Sequence, residues 1–99
     1  MGAGYVGVLT ADLHLPESRS LKEKRRELQR VKSGLARRFS CSVAEVDHHE
    51  LWQRARITAA VVTREPGEAD RLLAEAERWL ASRDWELGQV ERELVTLDD

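Results

Sequence analysis

Two segments with helical periodicity alternate with β-rich segments, and this order restricts the fold more than any other feature of the sequence. The first runs from residue 21 to about residue 38, and four of its apolar residues share one stripe: Leu21, Leu28, Val31 and Leu35. The second follows the breaker Glu65-Pro66-Gly67, and its apolar residues are spaced by three and four: Ala69, Leu72, Leu73, Ala76 and Leu80. Each segment predicts an amphipathic helix that buries one face.

The start of the first helix is marked by Ser20-Leu21-Lys22-Glu23, which fits a capping box. Ser20 is the predicted N-cap, and Glu23 is expected to reach back to its backbone N–H. In the second helix, Pro66 suits the first helical position, where a backbone N–H is not needed.

Four β-rich segments surround these helices, at residues 5–15, 41–47, 55–63 and 85–97. The resulting order, β-α-β-β-α-β, is that of the ferredoxin-like fold. We therefore predict a single α+β domain over residues 1–99, with a four-stranded antiparallel sheet and two helices on one face. The first and third strands are expected in the middle of the sheet.

Strand alternation predicts what the uncovered sheet face carries. Leu9, Ala11 and Leu13 are expected to face the helices, and the residues between them point away: Val6, Val8, Thr10, Asp12 and His14. This face is thus apolar at one end and polar at the other. A bare apolar patch on a sheet usually marks an interface, so we expect a homodimer. A ligand surface, or valines that are simply half exposed, remain alternatives.

The formal net charge of −2 hides an uneven distribution. Residues 17–38 carry nine bases and three acids, whereas residues 65–99 carry four bases and eleven acids. Five basic residues follow the outward face of the first helix and the turn before it: Arg19, Lys22, Arg26, Arg30 and Arg37. Such a stripe is a candidate RNA-binding surface, because cations that neutralise phosphates give salt-dependent affinity. The alternative is a solvated face held by ion pairs to Glu23 and Glu27.

Lys24 differs from the other bases because it falls inside the apolar stripe. It is either a lysine whose stem covers the edge of the core, or an ammonium held beside a carboxylate. Acids occur together with imidazoles in one collection, on the first two strands and the following loop, which is either a metal site or, as the lack of a ligand-spacing motif favours, ordinary surface charge: Asp12, His14, Glu45, Asp47, His48 and His49. Strand alternation predicts that Glu45 and Asp47 share a face.

Several classes of function lack their sequence signature. The single cysteine, Cys41, excludes an internal disulfide and a four-thiolate zinc site. No nucleophile motif or phosphate-binding loop occurs, and no metal-ligand spacing is present, so we predict a non-enzymatic protein without metal or cofactor. We find neither a signal peptide nor a membrane span, which favours the cytoplasm. The absence of asparagine resembles a thermophile composition.

Three stretches resemble the YlxP-like family, a bacterial family of unknown function: Ser18-Arg19-Ser20-Leu21-Lys22-Glu23-Lys24-Arg25, Ser42-Val43-Ala44-Glu45-Val46 and Trp52-Gln53-Arg54-Ala55. The resemblance covers roughly residues 5–95 and implies a ferredoxin-like fold. Family genes often neighbour those of transcription-termination, translation-initiation and ribosome-binding factors, which implies a role around RNA or ribosomes. It implies no catalytic residue.

The family motifs contain Lys24, Arg25, Glu45 and Arg54, so an ion pair of Lys24 or Arg25 with Glu45 is one structural expectation. Together with the strand residues above, they complete a candidate polar site: Asp12, His14, Lys24, Arg25, Glu45, Asp47 and Arg54.

The leading hypothesis is a small cytoplasmic protein that associates with RNA or a ribosomal particle through its first helix and forms a homodimer. The alternative is a homodimeric ligand-binding or regulatory module that uses the polar site at the open sheet face. An enzyme that uses the same carboxylates is a third hypothesis, and it requires a buried pair of them in one pocket.

Overall fold

The computed structural model describes residues 2–98 and contains six regular elements. In chain order they are β1 (Tyr5–His14), α1 (Leu21–Phe39), β2 (Ser42–Asp47), β3 (Arg54–Thr63), α2 (Pro66–Ala81) and β4 (Glu86–Thr96). The strands form one antiparallel sheet in the order β2-β3-β1-β4. The predicted α+β, ferredoxin-like order is therefore confirmed, with the first and third strands in the centre.

The ends of α1 are fixed by local hydrogen bonds. Ser20 is the N-cap, and its Oγ accepts the backbone N–H of Glu23 at 3.1 Å. The Glu23 carboxylate accepts the N–H of Arg19 at 2.6 Å, one residue before the position that the capping box predicts. At the other end Ser40 adopts a left-handed conformation with φ 60°, and its N–H donates to Ala36 O. This cap ends the helix one residue later than the sequence predicts.

The core lies between the helices and one face of the sheet. Leu9, Ala11 and Leu13 of β1 are buried there, as the alternation predicts. β3 adds alternate residues to the same face, and the helices cover them with the buried side chains of their stripes: Leu28, Val31, Leu35, Leu73, Ala76 and Leu80. Each fully buried leucine stabilises the fold by about 1.5–3 kcal/mol relative to an exposed one, so this layer is the main source of stability.

The two helices approach each other closely at Gly34 of α1 and Trp79 of α2. A Cβ atom added to Gly34 would overlap the six-membered ring of Trp79. The indole also packs edge-on against Phe39 and Trp85, with ring centroids 6.3 and 5.9 Å away. The absence of a side chain at residue 34 therefore sets how deeply Trp79 can insert between the helices.

Two register shifts interrupt the ladders. One lies between Glu45 and Asp47 where β2 pairs with β3, and the other lies between Ala11 and Leu13 where β1 pairs with β4. A bulge reverses the alternation of side chains beyond it. The first bulge decides which face of the sheet receives each carboxylate of β2.

Among residues 2–98, neither helix has the length and apolar character needed to cross a membrane.

Candidate functional site

A basic groove runs along the outer surface between α1 and α2. It has a volume of about 780 Å³, and none of the residues that line it is acidic. The groove is lined by Arg26, Gln29, Arg30, Ser33, Gly34, Arg37, Arg38 and Trp79. All of these except Trp79 lie on α1, so the outward face of one helix supplies four guanidinium groups along one channel. We call this feature the arginine groove.

Trp79 lines the arginine groove, and two arginine side chains lie over its indole ring. Guanidinium groups of Arg38 and Arg83 both lie 5.6 Å from the centre of its ring. Two cations on one indole form cation–π contacts that hold positive charge beside an aromatic surface. The indole Nε1 is buried and has no hydrogen-bond partner within residues 2–98.

The five basic residues predicted for RNA binding do not all lie in this groove. Arg26, Arg30 and Arg37 line it, whereas Arg19 and Lys22 are exposed near the N-terminal end of α1 and do not. Arg30 contacts Glu27 at 3.4 Å, an exposed pair that contributes little to stability. Within the described part of the chain, Arg26 and Arg37 have no carboxylate within 4.0 Å. Their charges are available to an anionic partner.

The residues of the predicted polar site divide between the two faces of the sheet. On the open face, Arg56 bridges two carboxylates: its Nε is 2.8 Å from Asp12, and its Nη1 is 3.8 Å from Asp47. The hydrogen bond with Asp12 raises the pKa of Arg56. The backbone N–H of His48 donates to Asp47 at 2.7 Å and lowers the pKa of that carboxyl group.

His14 and Arg54 lie farther along the same open face. His14 Nδ1 is 2.6 Å from Glu86 Oε1, and His14 pairs with Arg54 across the ladder. These two residues, with Asp12 and His48, border a shallow hollow of about 550 Å³. The hollow is wide, and three of these four residues already contact charged groups of the same chain: His14 contacts Glu86, Asp12 contacts Arg56 and His48 contacts Asp47.

Lys24 and Glu45 meet on the helix side instead. The Lys24 ammonium nitrogen lies 2.8 Å from Glu45 Oε2 and donates to the backbone oxygen of His48 at 2.5 Å. Glu45 pairs with the buried Ile57, while Asp47 pairs with Arg56 on the open face. The expectation that Glu45 and Asp47 share a face is wrong because the bulge between them reverses the alternation. Of the two bases considered as partners of Glu45, the structure brings Lys24 to it and leaves Arg25 exposed.

Residues 2–98 hold no cluster of three or more His, Cys, Asp or Glu side chains arranged to bind a metal ion. Cys41 is a free, buried thiol, and desolvation raises its pKa. A raised pKa keeps the sulfur protonated and poorly nucleophilic at neutral pH.

Comparison with known proteins places the chain in a family. Residues 6–92 match the family described as "Protein of unknown function (DUF503)". That match covers most of the 99 residues. The chain belongs to the DUF503 family. The resemblance to the YlxP-like family is also confirmed, since the uncharacterized protein YlxP of Bacillus subtilis (strain 168) is 28% identical over 90 residues. The alignment covers 81% of this chain and 98% of YlxP.

Among solved structures, this DUF503 chain is similar to the de novo designed protein Ferredog-Diesel, with a TM-score of 0.46 and 19% identity. The similarity covers 92% of this chain and 86% of the designed chain.

The sequence of this DUF503 member did not predict two features of its candidate sites, one in the arginine groove and one on the open sheet face. Arg38 and Trp79 are not among the candidate site residues of the sequence, yet both line the arginine groove. Arg56, which joins Asp12 to Asp47, was also missed. Arg56 lies opposite Asp12 on a neighbouring strand, so aligning the two strands as an antiparallel pair could have predicted this contact.

Proposed function

We propose that this protein is a cytoplasmic, non-enzymatic RNA-associated protein that binds an RNA backbone in the arginine groove. The observation that carries the proposal is the lining of the groove, in which four arginines and no acid face one channel. The chain has a net charge of −2, yet no acidic residue among 2–98 lines the groove, although Glu27 contacts Arg30 beside it. The groove is therefore a local basic surface on an acidic molecule.

Arginine suits this role because its planar guanidinium donates to phosphate oxygens in a bidentate geometry. Arg26, Arg30 and Arg37 recur along α1 at steps of four and seven, so they extend along the helix axis rather than forming a single point charge. A linear array fits a run of successive phosphates. The gene neighbourhoods implied by the family resemblance favour RNA over DNA.

The direct test is fluorescence anisotropy with a labelled RNA hairpin that carries a single-stranded tail. Four phosphate contacts predict a slope of about −3 for log K against log[salt], which is about a 50-fold loss of affinity between 50 and 200 mM salt. The variant R26E/R30E removes two contacts. We expect at least a tenfold (~1.4 kcal/mol) loss of affinity at low salt and a slope reduced to about half.

The matched control is R64E/R71E, which makes the same change in net charge away from the groove. It also breaks a comparable exposed helix pair, since Arg71 contacts Glu75 at 3.4 Å just as Arg30 contacts Glu27. The control is expected to bind like the wild type. Equal losses in both variants, or no binding by the wild type at low salt, contradict the proposal. If duplex DNA of the same sequence binds with equal affinity, the groove binds nucleic acid in general and is not selective for RNA.

The alternative function, ligand binding at the polar open face, has less support. Two of its carboxylates, those of Asp12 and Asp47, contact Arg56 of the same chain, and the imidazole of His14 contacts Glu86. Lys24 and Glu45 lie on the helix side and cannot join them. A small ligand on the open face must therefore compete with contacts that the chain already makes.

A further inference from the structure

One arginine of the arginine groove differs from the others in what holds it. The Arg38 side chain is exposed, and its guanidinium lies over the indole ring of Trp79, 5.6 Å from the ring centre. Among residues 2–98, no carboxylate lies within 4.0 Å of this guanidinium. The other arginines of the groove, Arg26, Arg30 and Arg37, lie over no aromatic ring in the described part of the chain. Arg38 is therefore a cation that an aromatic ring holds in place of an acid.

The ring beneath Arg38 is fixed in position. Trp79 fits against Gly34, where a Cβ atom would overlap the indole, and it packs edge-on against Phe39 and Trp85. A side chain that rests on a rigid ring loses less conformational freedom when it binds a ligand than a free arginine does. The guanidinium of Arg38 is thus a planar, partly preorganised group in the lining of the groove.

The lining of the groove also contains uncharged polar groups. Gln29 and Ser33 lie between the arginines on α1, with Gln29 Nε2 3.4 Å from Ser33 Oγ. Their amide and hydroxyl groups can both donate and accept hydrogen bonds, whereas ionised phosphate oxygens only accept them. Base edges and ribose hydroxyls of RNA offer donors as well as acceptors. The groove therefore combines cations that suit phosphates with groups that suit the bases and the ribose.

Bases can reach these groups only when they are unpaired. In an RNA duplex the base faces stack on one another inside the helix, but in a single strand they can stack on aromatic rings and guanidinium planes. Proteins that bind single strands combine a basic groove with such stacking surfaces. From Arg26 to Arg38 the axis of α1 rises about 18 Å, which is long enough for a few nucleotides.

We propose that the arginine groove binds single-stranded RNA and that an unpaired base stacks on the guanidinium of Arg38. This inference rests on the proposed function and adds the class of RNA that the groove selects. Arg26, Arg30 and Arg37 contact phosphates, which every RNA has. Arg38 contacts a base face, which a duplex does not expose.

The first test compares ligands that have the same phosphates. Fluorescence anisotropy measures a short labelled RNA strand beside the same strand with abasic residues at its central positions. Loss of the stacked base is expected to weaken binding at least about fivefold. A fully paired duplex of the same strand is expected to bind no more tightly than the single strand, despite its additional phosphates. Equal affinity for the intact and abasic strands, or tighter binding of the duplex, overturns the inference.

The second test assigns the stacking to Arg38. R38K keeps the positive charge but removes the planar group, so it should bind the abasic strand like the wild type and the intact strand at least about fivefold more weakly. The matched control R37K makes the same change at the preceding arginine of the groove and is expected to keep the wild-type ratio of the two affinities. Both side chains are exposed, so both variants should retain the circular dichroism spectrum of the folded protein. Equal ratios in R38K and R37K overturn the inference.

The inference and the proposed function fail in different ways. If R26E/R30E weakens binding of both strands while the wild type binds the intact and abasic strands equally, the groove binds RNA through phosphates alone, and only the inference is wrong. If the wild type binds neither strand at low salt, both the proposed function and the inference are wrong.

Discussion

Lys24 and Glu45 join α1 to β2 through an ion pair whose nitrogen and oxygen are 2.8 Å apart. Their side chains are 2% and 15% exposed, so the ammonium is enclosed while the carboxylate keeps some access to water. The ammonium also donates to the backbone oxygen of His48, which has a left-handed φ of 65°. One lysine thus ties the helix to both the strand and the turn that follows it.

Removing Glu45 should lower the free energy of unfolding more than removing Lys24 does. E45A leaves an enclosed ammonium with only one carbonyl partner, so we expect a loss of about 3 kcal/mol in the free energy of unfolding. K24M leaves the buried Oε2 of Glu45 without its partner, but the Glu45 side chain is still 15% exposed and the methionine replaces the lysine stem, so we expect a smaller loss of about 2 kcal/mol. Urea unfolding measures both values. A larger loss for K24M than for E45A contradicts this interpretation.

The contrast between the fold and the site shows what a sequence alone can predict. The faces of β1 and the stripe of α1 follow from periodicity, because each depends on neighbours a few residues away. The face occupied by Asp47 depends on a bulge, and the bulge depends on pairing with Arg56 of another strand. Likewise, the candidate RNA-binding residues of α1 could be found by spacing, but the channel they border exists only because α2 packs beside them.

Gly34 allows Trp79 to insert between the helices. Substitutions of these two residues should therefore have non-additive effects on the free energy of unfolding. G34A gains about 1 kcal/mol of helix propensity but forces a methyl group into the indole. Overpacking of this kind costs about 1–3 kcal/mol, so we expect a net loss of about 1 kcal/mol. In a W79L background the clash is removed, and the same change should stabilise the protein by up to about 1 kcal/mol. A double-mutant cycle in urea tests the reversal of sign, and the same sign in both backgrounds contradicts it.

Ser40 closes α1 in a left-handed conformation with φ 60°, which a residue with a Cβ adopts at a cost. We expect S40G to raise the free energy of unfolding by about 0.5–1 kcal/mol, because glycine adopts this conformation without that cost. A36G is the comparison, since Ala36 is exposed inside the same helix and should lose about 1 kcal/mol. Thermal unfolding distinguishes the two variants. A lower midpoint for S40G than for the wild type means that the serine hydroxyl contributes to the cap.

Asp47 should make stability depend on pH in a defined direction. The N–H of His48 and nearby positive charges lower the pKa of its carboxyl group in the folded state. A carboxyl group whose folded pKa is lowered stabilises the fold at neutral pH, and this contribution is lost as pH falls below about 4 and through the folded pKa. D47N should therefore be less stable than the wild type at pH 7, and their urea midpoints should converge in acid. E50Q, which removes an exposed carboxylate from the adjacent loop, serves as the control. A gap for D47N that stays constant with pH contradicts the prediction.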